Sequence, residues 1–219
     1  MNSSLIQQLV LAGIAVFLIL RLRNVLGSRE GFERPAAPKQ REDRNPRPEF
    51  EVIEGGPDLD ITDHVDEGSP SAEALAKMKR LEPSFNVSDF LGGARGAYEM
   101  IVMGYEQGNL DDIQPLLAED IYESFVDGVA AREDQGLTIE ADFIGVREIK
   151  LQSATFNDDD NEAELVVRFV AELTSTVRDQ DGNIVEGSPT EIKRQKDTWA
   201  FARSMGADDP NWLLVSTDA

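Results

Sequence analysis

Residues 164–176 read ELVVRFVAELTST, and this stretch decides the fold of the chain. One side of it carries an apolar residue at every second position: Leu165, Val167, Phe169, Ala171 and Leu173. The other side mixes two valines with the charged residues Arg168 and Glu172. Alternation with a period of two is typical of a strand that buries one face. We therefore expect a β-strand whose apolar face is covered by another layer of the domain.

Patterns with a period of two continue on both sides of this strand. Apolar residues alternate over residues 137–143, and Gly145 is expected to form a bulge before the alternation resumes. Residues 190–203 and 211–217 predict two further strands. Asp- and Asn-rich turns at residues 157–161 and 181–183 predict that successive strands are antiparallel neighbours.

Helical periodicity precedes the strands. Helices are predicted over residues 71–80, 88–107, 109–118 and 120–135. The longest begins at Ser88 as its N-cap, and Gly92, Gly93 and Gly96 lower its helix propensity, so we expect a close neighbour there. Helices followed by antiparallel strands predict an α+β domain over residues 71–219, with the helices packed on one face of a curved sheet.

The first twenty residues contain no charged side chain. As a helix they would reach about 30 Å, the thickness of the hydrocarbon core of a bilayer. Residues 1–26 are therefore predicted to be a transmembrane anchor, and the predicted span includes Leu5, Leu9, Leu11, Ile14, Phe17 and Leu20. Four arginines follow the span and no basic residue precedes it, which predicts an outside N-terminus and a cytoplasmic domain. A cleaved signal peptide and a buried or interfacial helix are the alternatives.

Residues 27–70 predict a disordered linker. They hold six of the ten prolines, few apolar residues and a run of unopposed acids, a composition that cannot bury enough apolar surface to fold. Residues 1–49 contain eight Lys and Arg against five Asp and Glu, whereas residues 50–219 contain thirteen against thirty-seven. Because a surface this acidic repels phosphate backbones, we do not expect nucleic acid as a partner.

The predicted helix 71–80 places Lys77, Lys79 and Arg80 beside an apolar stripe. This helix either covers the core of its own domain or lies on lipid headgroups or a partner as a basic amphipathic helix.

Residue types limit the chemistry of the chain. It has no cysteine, and its one histidine lies in the predicted linker, so thiolate chemistry and a Ser-His-Asp triad are excluded from the domain. We predict no catalytic, cofactor-binding or metal-binding residue, and we expect the domain not to be an enzyme.

Four runs resemble, in order and spacing, the Tim-forty-four-like (Tim44-like) domain family: FLGGARGAYEMIVMGYEQGNLDDIQPLL, FVDGVAAREDQG, DTWAFARS and DPNWLLVST. That domain forms the C-terminal part of the peripheral matrix-side subunit of the mitochondrial presequence translocase, and it occurs in alphaproteobacterial membrane proteins. The resemblance implies a cone similar to nuclear transport factor two, with an apolar cavity between helices and a concave sheet. It also implies docking on the membrane and on a translocase, whereas residues 30–70 do not resemble the relatives' chaperone-recruiting region.

The anchor and the resemblance together predict a single-span adaptor in the bacterial inner membrane. Its cytoplasmic domain is expected to bind a protein partner, such as a translocase component or a chaperone, or lipid. The expected apolar cavity or partner face consists of Leu165, Val167, Phe169, Trp199 and Phe201.

Two alternatives to the adaptor stay open. The first is a small-ligand-binding or enzymatic cavity, which a buried Asp–Tyr or Asp–Arg group at the same face would favour. The second is an envelope scaffold with the domain outside. No cofactor is expected under the adaptor interpretation.

Overall fold

The structure, a computed structural model, describes residues 57–217. The predicted anchor, with its span from Leu5 to Leu20, lies outside these residues, as does most of the predicted linker. Within residues 57–217, no helix is long and apolar enough to cross a membrane.

Helices precede a four-stranded sheet, as the sequence predicts. The helices are α1 (Leu59–Thr62), α2 (Pro70–Leu81), α3 (Val87–Gln107) and α4 (Glu119–Asp134). The strands are β1 (Thr138–Asn157), β2 (Glu162–Arg178), β3 (Ile184–Ser204) and β4 (Leu213–Ser216). All neighbouring strands are antiparallel, in the order β1-β2-β3-β4. The prediction of an α+β domain with a curved antiparallel sheet is confirmed.

Strand β2, one of the two interior strands, contains the stretch that decided the fold. Its odd-numbered residues from Ala163 to Leu173 are buried and face the helices. Val167 lies between Leu151 of β1 and Trp199 of β3 in the strand register. The β1–β2 register shifts at Gly145, which has a φ of 149°, so the predicted bulge is present.

Helix α3 covers the buried face of the sheet. Its apolar stripe is buried over six residues: Phe90, Leu91, Ala94, Tyr98, Ile101 and Val102. The helix ends at Gly108, which adopts the left-handed conformation with a φ of 72°. Its N-cap is Asn86 rather than the predicted Ser88, because the Asn86 side chain accepts the Asp89 N–H at 2.9 Å.

Two local predictions are wrong. A Cβ added at Gly92, Gly93 or Gly96 would meet nothing within 4 Å, so no neighbour approaches these exposed glycines. The predicted helix 109–118 is reduced to a single 3₁₀ turn over Gln114–Leu116, where a proline lacks the N–H that a longer helix would need.

Residues 57–70, which the sequence assigned to the linker, are folded. Ile61 of α1 is buried, and both Asp60 oxygens accept backbone N–H groups from the start of α3, at Val87 and Ser88. Two carboxylates of the acidic run, Asp58 and Asp60, thus find partners that are far away in the sequence.

Candidate functional site

The predicted apolar cavity or partner face is part of the closed core. Leu165, Val167 and Phe169 are 0% exposed, and Trp199 and Phe201 are 5% and 2% exposed. Side chains of α3 occupy the space above them. Tyr98 stacks on Phe169 with ring centroids 4.4 Å apart, and Phe90 meets Phe201 edge-on at 6.0 Å. These five residues therefore present no open surface, which differs from the sequence interpretation.

A hydrogen-bonded pair of the buried Tyr98 and the partly buried Asp197 lies at the edge of this core. The Tyr98 hydroxyl donates to Asp197 Oδ2 at 2.5 Å, while the Tyr98 ring lies between Phe169 and Trp199. Burial of the phenol, reinforced by the adjacent carboxylate, raises the pKa of Tyr98 well above its usual value. The phenol therefore stays neutral and keeps the proton that it donates to Asp197.

The basic residues of α2 bind carboxylates of the same domain. Lys79 Nζ contacts Asp58 Oδ2 at 2.7 Å and Asp60 Oδ2 at 2.9 Å, and its side chain is 19% exposed. Partial burial of Lys79 lowers its pKa, but the two aspartates outweigh this effect, so the net shift is upward. Lys77 pairs with Asp158, whereas Arg80 is exposed and donates only to its own helix, to Ala76 O at 3.3 Å.

The apolar side of α2 also faces its own domain. Leu75 and Met78 are 0% exposed, and the last turn of the helix is tied to β3 by an ion pair between Glu82 and Arg203. Of the two sequence interpretations, the structure shows the helix that covers its own core.

The face of the sheet opposite the helices concentrates positive charge. We define the outer cationic face as five residues from three strands: Arg147, Lys150, Arg168, Arg194 and Lys196. They are five of the thirteen Lys and Arg in residues 50–219. Strand register aligns Lys150 with Arg168, and it places Arg194 and Lys196 beside Glu172 and Val170. Glu148 lies on the same face, opposite Val170, and pairs with Arg168 at 3.6 Å. The five cations of this patch therefore outnumber its two acids, Glu148 and Glu172, although the domain as a whole is strongly acidic.

One glutamate organises the centre of the outer cationic face. Glu172 accepts Arg147 Nε at 2.6 Å and Arg194 Nη2 at 2.9 Å, and its own side chain is only 12% exposed. Hydrogen bonds from the two arginines lower the pKa of Glu172, and the one from Arg194 has the larger effect. The two arginines stay 57% and 64% exposed, so they hold the glutamate while still presenting charge to solvent.

The outer cationic face adjoins an unpaired strand edge. On the side away from β2, β3 pairs with β4 only over residues 200–202. Within residues 57–217, no strand pairs with that side of β3 before residue 200. We call residues 193–199 the free edge of β3. Arg194 and Lys196 lie on this segment and also belong to the outer cationic face.

Two surface pockets have linings that do not include the Tyr98–Asp197 pair. One of about 270 Å³ lies where β2 meets β3, lined by residues that include Ser175, Glu186 and Lys193. Another of about 490 Å³ lies at the start of β1 beside Arg178. In the part of the chain described, no group of three or more acidic or histidine side chains could hold a metal ion.

Comparison with known proteins identifies the family. The family model for the Tim44-like domain matches residues 71–219, which is most of the chain. The chain belongs to the Tim44-like domain family. The sheet, the helices from α2 onward and the outer cationic face therefore belong to a Tim44-like domain, whereas α1 precedes the matched region.

Individual relatives are distant. The human mitochondrial import inner membrane translocase subunit TIM44 is 22% identical over 151 residues, which are 68% of this chain and 33% of that protein. Subunit TIM44-1 of Arabidopsis thaliana is 20% identical over 150 residues, which are 66% of this chain and 31% of that protein. The chain thus spans about a third of the length of these relatives.

Among solved structures, the chain is similar to the intermembrane space region of the chloroplast protein ARC6. The similarity has a TM-score of 0.34 at 11% identity and covers 54% of this chain and 91% of that one. At that TM-score the likeness carries no structural argument.

Sequence reasoning missed the outer cationic face because its members are scattered between residues 147 and 196. The signal that could have found it is strand register. The predicted turns at 157–161 and 181–183 fold the strands onto each other, which brings Arg168 beside Lys150 and Thr198.

Proposed function

We propose that this Tim44-like protein is a single-span adaptor of the bacterial inner membrane, with its domain in the cytoplasm, and that it serves protein translocation or membrane-protein assembly. The domain is a binding module and not an enzyme. The relatives named as subunits of a mitochondrial import translocase support the process, and the uncharged N-terminal run with its arginine flank supports the anchor.

The closed core is the observation that supports this proposal best. The five residues at the expected cavity are 0–5% exposed because Phe90 and Tyr98 of the domain itself cover them. A domain whose apolar interior is occupied by its own aromatic rings recognises partners through its exterior. An exterior binding mode fits a macromolecular partner better than a small apolar ligand.

The charge pairing of α2 favours a protein partner over lipid. Lys79 is engaged by two aspartates and Lys77 by Asp158, so only Arg80 of this helix is available to an anionic headgroup. One exposed cation next to many acids attracts an anionic bilayer weakly.

The Tyr98–Asp197 pair favours a second candidate, a small-ligand or enzymatic cavity of the same domain. Under this alternative, Asp197 would accept a proton or a hydrogen bond from a ligand in place of the one from Tyr98. Tyr98→Phe would then change ligand binding or turnover in addition to stability.

In-cell photocrosslinking of the full-length chain tests the adaptor. A photoreactive amino acid is placed at exposed apolar positions on three different elements: Met100 of α3, Val126 of α4 and Ile192 of β3. We expect at least one position to give an adduct with a membrane or translocation protein, identified by mass spectrometry. Adducts with lipid or metabolite alone would contradict the adaptor. Protease shaving of spheroplasts checks topology, because a domain removed from intact spheroplasts cannot be cytoplasmic.

A further inference from the structure

The free edge of β3 offers hydrogen-bonding groups and positive charge at the same place. A strand edge presents a row of backbone N–H and C=O groups that can pair with another extended chain. Along residues 193–199 the side chains alternate between the two faces of the sheet. Arg194, Lys196 and Thr198 face outward, and Lys193 and Asp197 face the helix side.

The charge on the two sides of this edge differs in sign. The outward side continues across the sheet from Thr198 to Arg168 and Lys150. From Lys196 it continues to Val170 and Glu148, whose charge is paired with Arg168. On the helix side, Lys193 is accompanied by Asp197 and by the acids of the adjoining pocket, Glu186 and Glu191. An added strand is therefore favoured when its acidic residues point outward, which excludes pairings shifted by one residue, because these would turn the acids to the helix side.

A polypeptide fits this edge better than two other occupants. A second copy of β3 would place Arg194 and Lys196 against the same cations, and like charges directly opposite one another destabilise paired strands. A lipid headgroup could meet the cations but would leave the backbone groups of the edge unpaired. An acidic segment in extended conformation satisfies both.

We propose that the free edge of β3, together with the outer cationic face, binds an acidic extended segment of a partner protein as an added β-strand. The proposal rests on the adaptor function and names the surface and the kind of partner segment that the adaptor uses.

Binding of a designed peptide to the full-length chain in neutral detergent tests the proposal. The probe is a fluorescein-labelled peptide in which three glutamates alternate with threonines, so that all three carboxylates lie on one side of a strand. A matched peptide with proline in place of a central threonine keeps the charge but lacks an N–H and cannot pair along its whole length. We expect the first peptide to bind, measured by fluorescence anisotropy, and the proline peptide to bind about tenfold more weakly.

A pair of matched variants of the chain tests the face. Lys196→Glu reverses an outward charge, and Lys193→Glu makes the same change on the helix side of the same strand. We expect Lys196→Glu to weaken peptide binding by about tenfold and Lys193→Glu to change it much less. Tryptophan fluorescence and thermal unfolding confirm that both variants are folded. Hydrogen exchange of the bound complex should slow at residues 193–199.

Several results would overturn the proposal. Equal binding of the proline peptide means that charge alone is recognised. Equal effects of Lys193→Glu and Lys196→Glu mean that the face is wrongly assigned. If the chain binds phosphatidylglycerol vesicles through Lys196 but does not bind the peptide, the surface is a lipid-binding surface. If the chain forms dimers without peptide and residues 193–199 are protected in them, the occupant of the edge is a second copy of the chain. If crosslinking from Met100 or Val126 still captures a protein, the adaptor function survives and only this surface is overturned.

Discussion

Removal of the Asp60 carboxylate should destabilise the whole domain. Asp60 accepts the Val87 N–H at 2.8 Å and the Ser88 N–H at 3.2 Å, and it binds Lys79 Nζ at 2.9 Å. The first N–H groups of a helix have no partner within the helix, so Asp60 caps α3 from 27 residues away. Loss of a capping carboxylate costs about 1 kcal/mol, and Lys79, which keeps only Asp58 as its partner, loses one of its two charge-assisted hydrogen bonds. We therefore expect Asp60→Ala to lower the free energy of unfolding by about 2 kcal/mol.

Urea denaturation followed by tryptophan fluorescence measures this change, because both tryptophans, Trp199 and Trp212, lie in the domain. Asp63→Ala is the matched control. Asp63 is an exposed acid on the same short segment and its side chain has no such contacts, so it should change stability by less than about 0.5 kcal/mol. Equal effects of the two substitutions would refute the view that Asp60 joins residues 57–70 to the domain.

The pH dependence of the stability difference between wild type and Asp60→Ala gives a second test. Burial of Asp60 raises its pKa, but hydrogen bonds from Val87, Lys79 and Ser88 outweigh burial and lower it below the usual 3.8. A depressed carboxyl pKa stabilises the fold above the unfolded pKa, and this stability is lost as pH falls through the folded value. The stability difference between wild type and Asp60→Ala should be full at pH 7 and shrink below about pH 4.

Three other substitutions follow from the packing. Gly96→Ala should stabilise the domain by about 0.5–1 kcal/mol, because the added methyl meets nothing and alanine favours the helix. Gly104→Ala should destabilise it by about 1–3 kcal/mol, because the new Cβ would lie 2.8 Å from Ile113 Cγ2. Urea denaturation measures both changes in the free energy of unfolding, and two changes of the same sign would contradict the packing around Gly96 and Gly104. Tyr98→Phe should cost about 1–2 kcal/mol by leaving Asp197 without its donor. Because the pKa of Tyr98 is raised, wild type should lose stability above about pH 10 more steeply than this variant does, which thermal unfolding in alkaline buffer measures.

Local patterns in the sequence predicted the sheet because their causes are local. The alternation of residues 164–176 reports which face of β2 is buried, and each strand needs only its own side chains to show this. Gly108 likewise ends α3 through its own backbone conformation. Periodicity, caps and turn residues therefore sufficed for the α+β class and for most element positions.

Features that depend on distant contacts were not predictable in this way. Residues 57–70 look disordered by composition, but Lys79 and the start of α3 supply partners for two of their acids, Asp58 and Asp60. The residues of the expected cavity were correctly placed on one face, but apolar character alone does not show whether a tyrosine such as Tyr98 fills the space above them. At the exposed glycines of α3 the sequence predicted a close neighbour and none is present, because low helix propensity does not require a neighbouring element.

A comparison of two single-site photocrosslinkers in cells tests the central claim most directly. Ile192 lies immediately before the free edge of β3 and is 58% exposed, whereas Val126 of α4 is 39% exposed. Each position carries a photoreactive amino acid in the full-length chain, and the adducts are identified by mass spectrometry. The account predicts a partner protein crosslinked from Ile192 and little or none from Val126. A partner captured only from Val126, or only lipid from both positions, would contradict it.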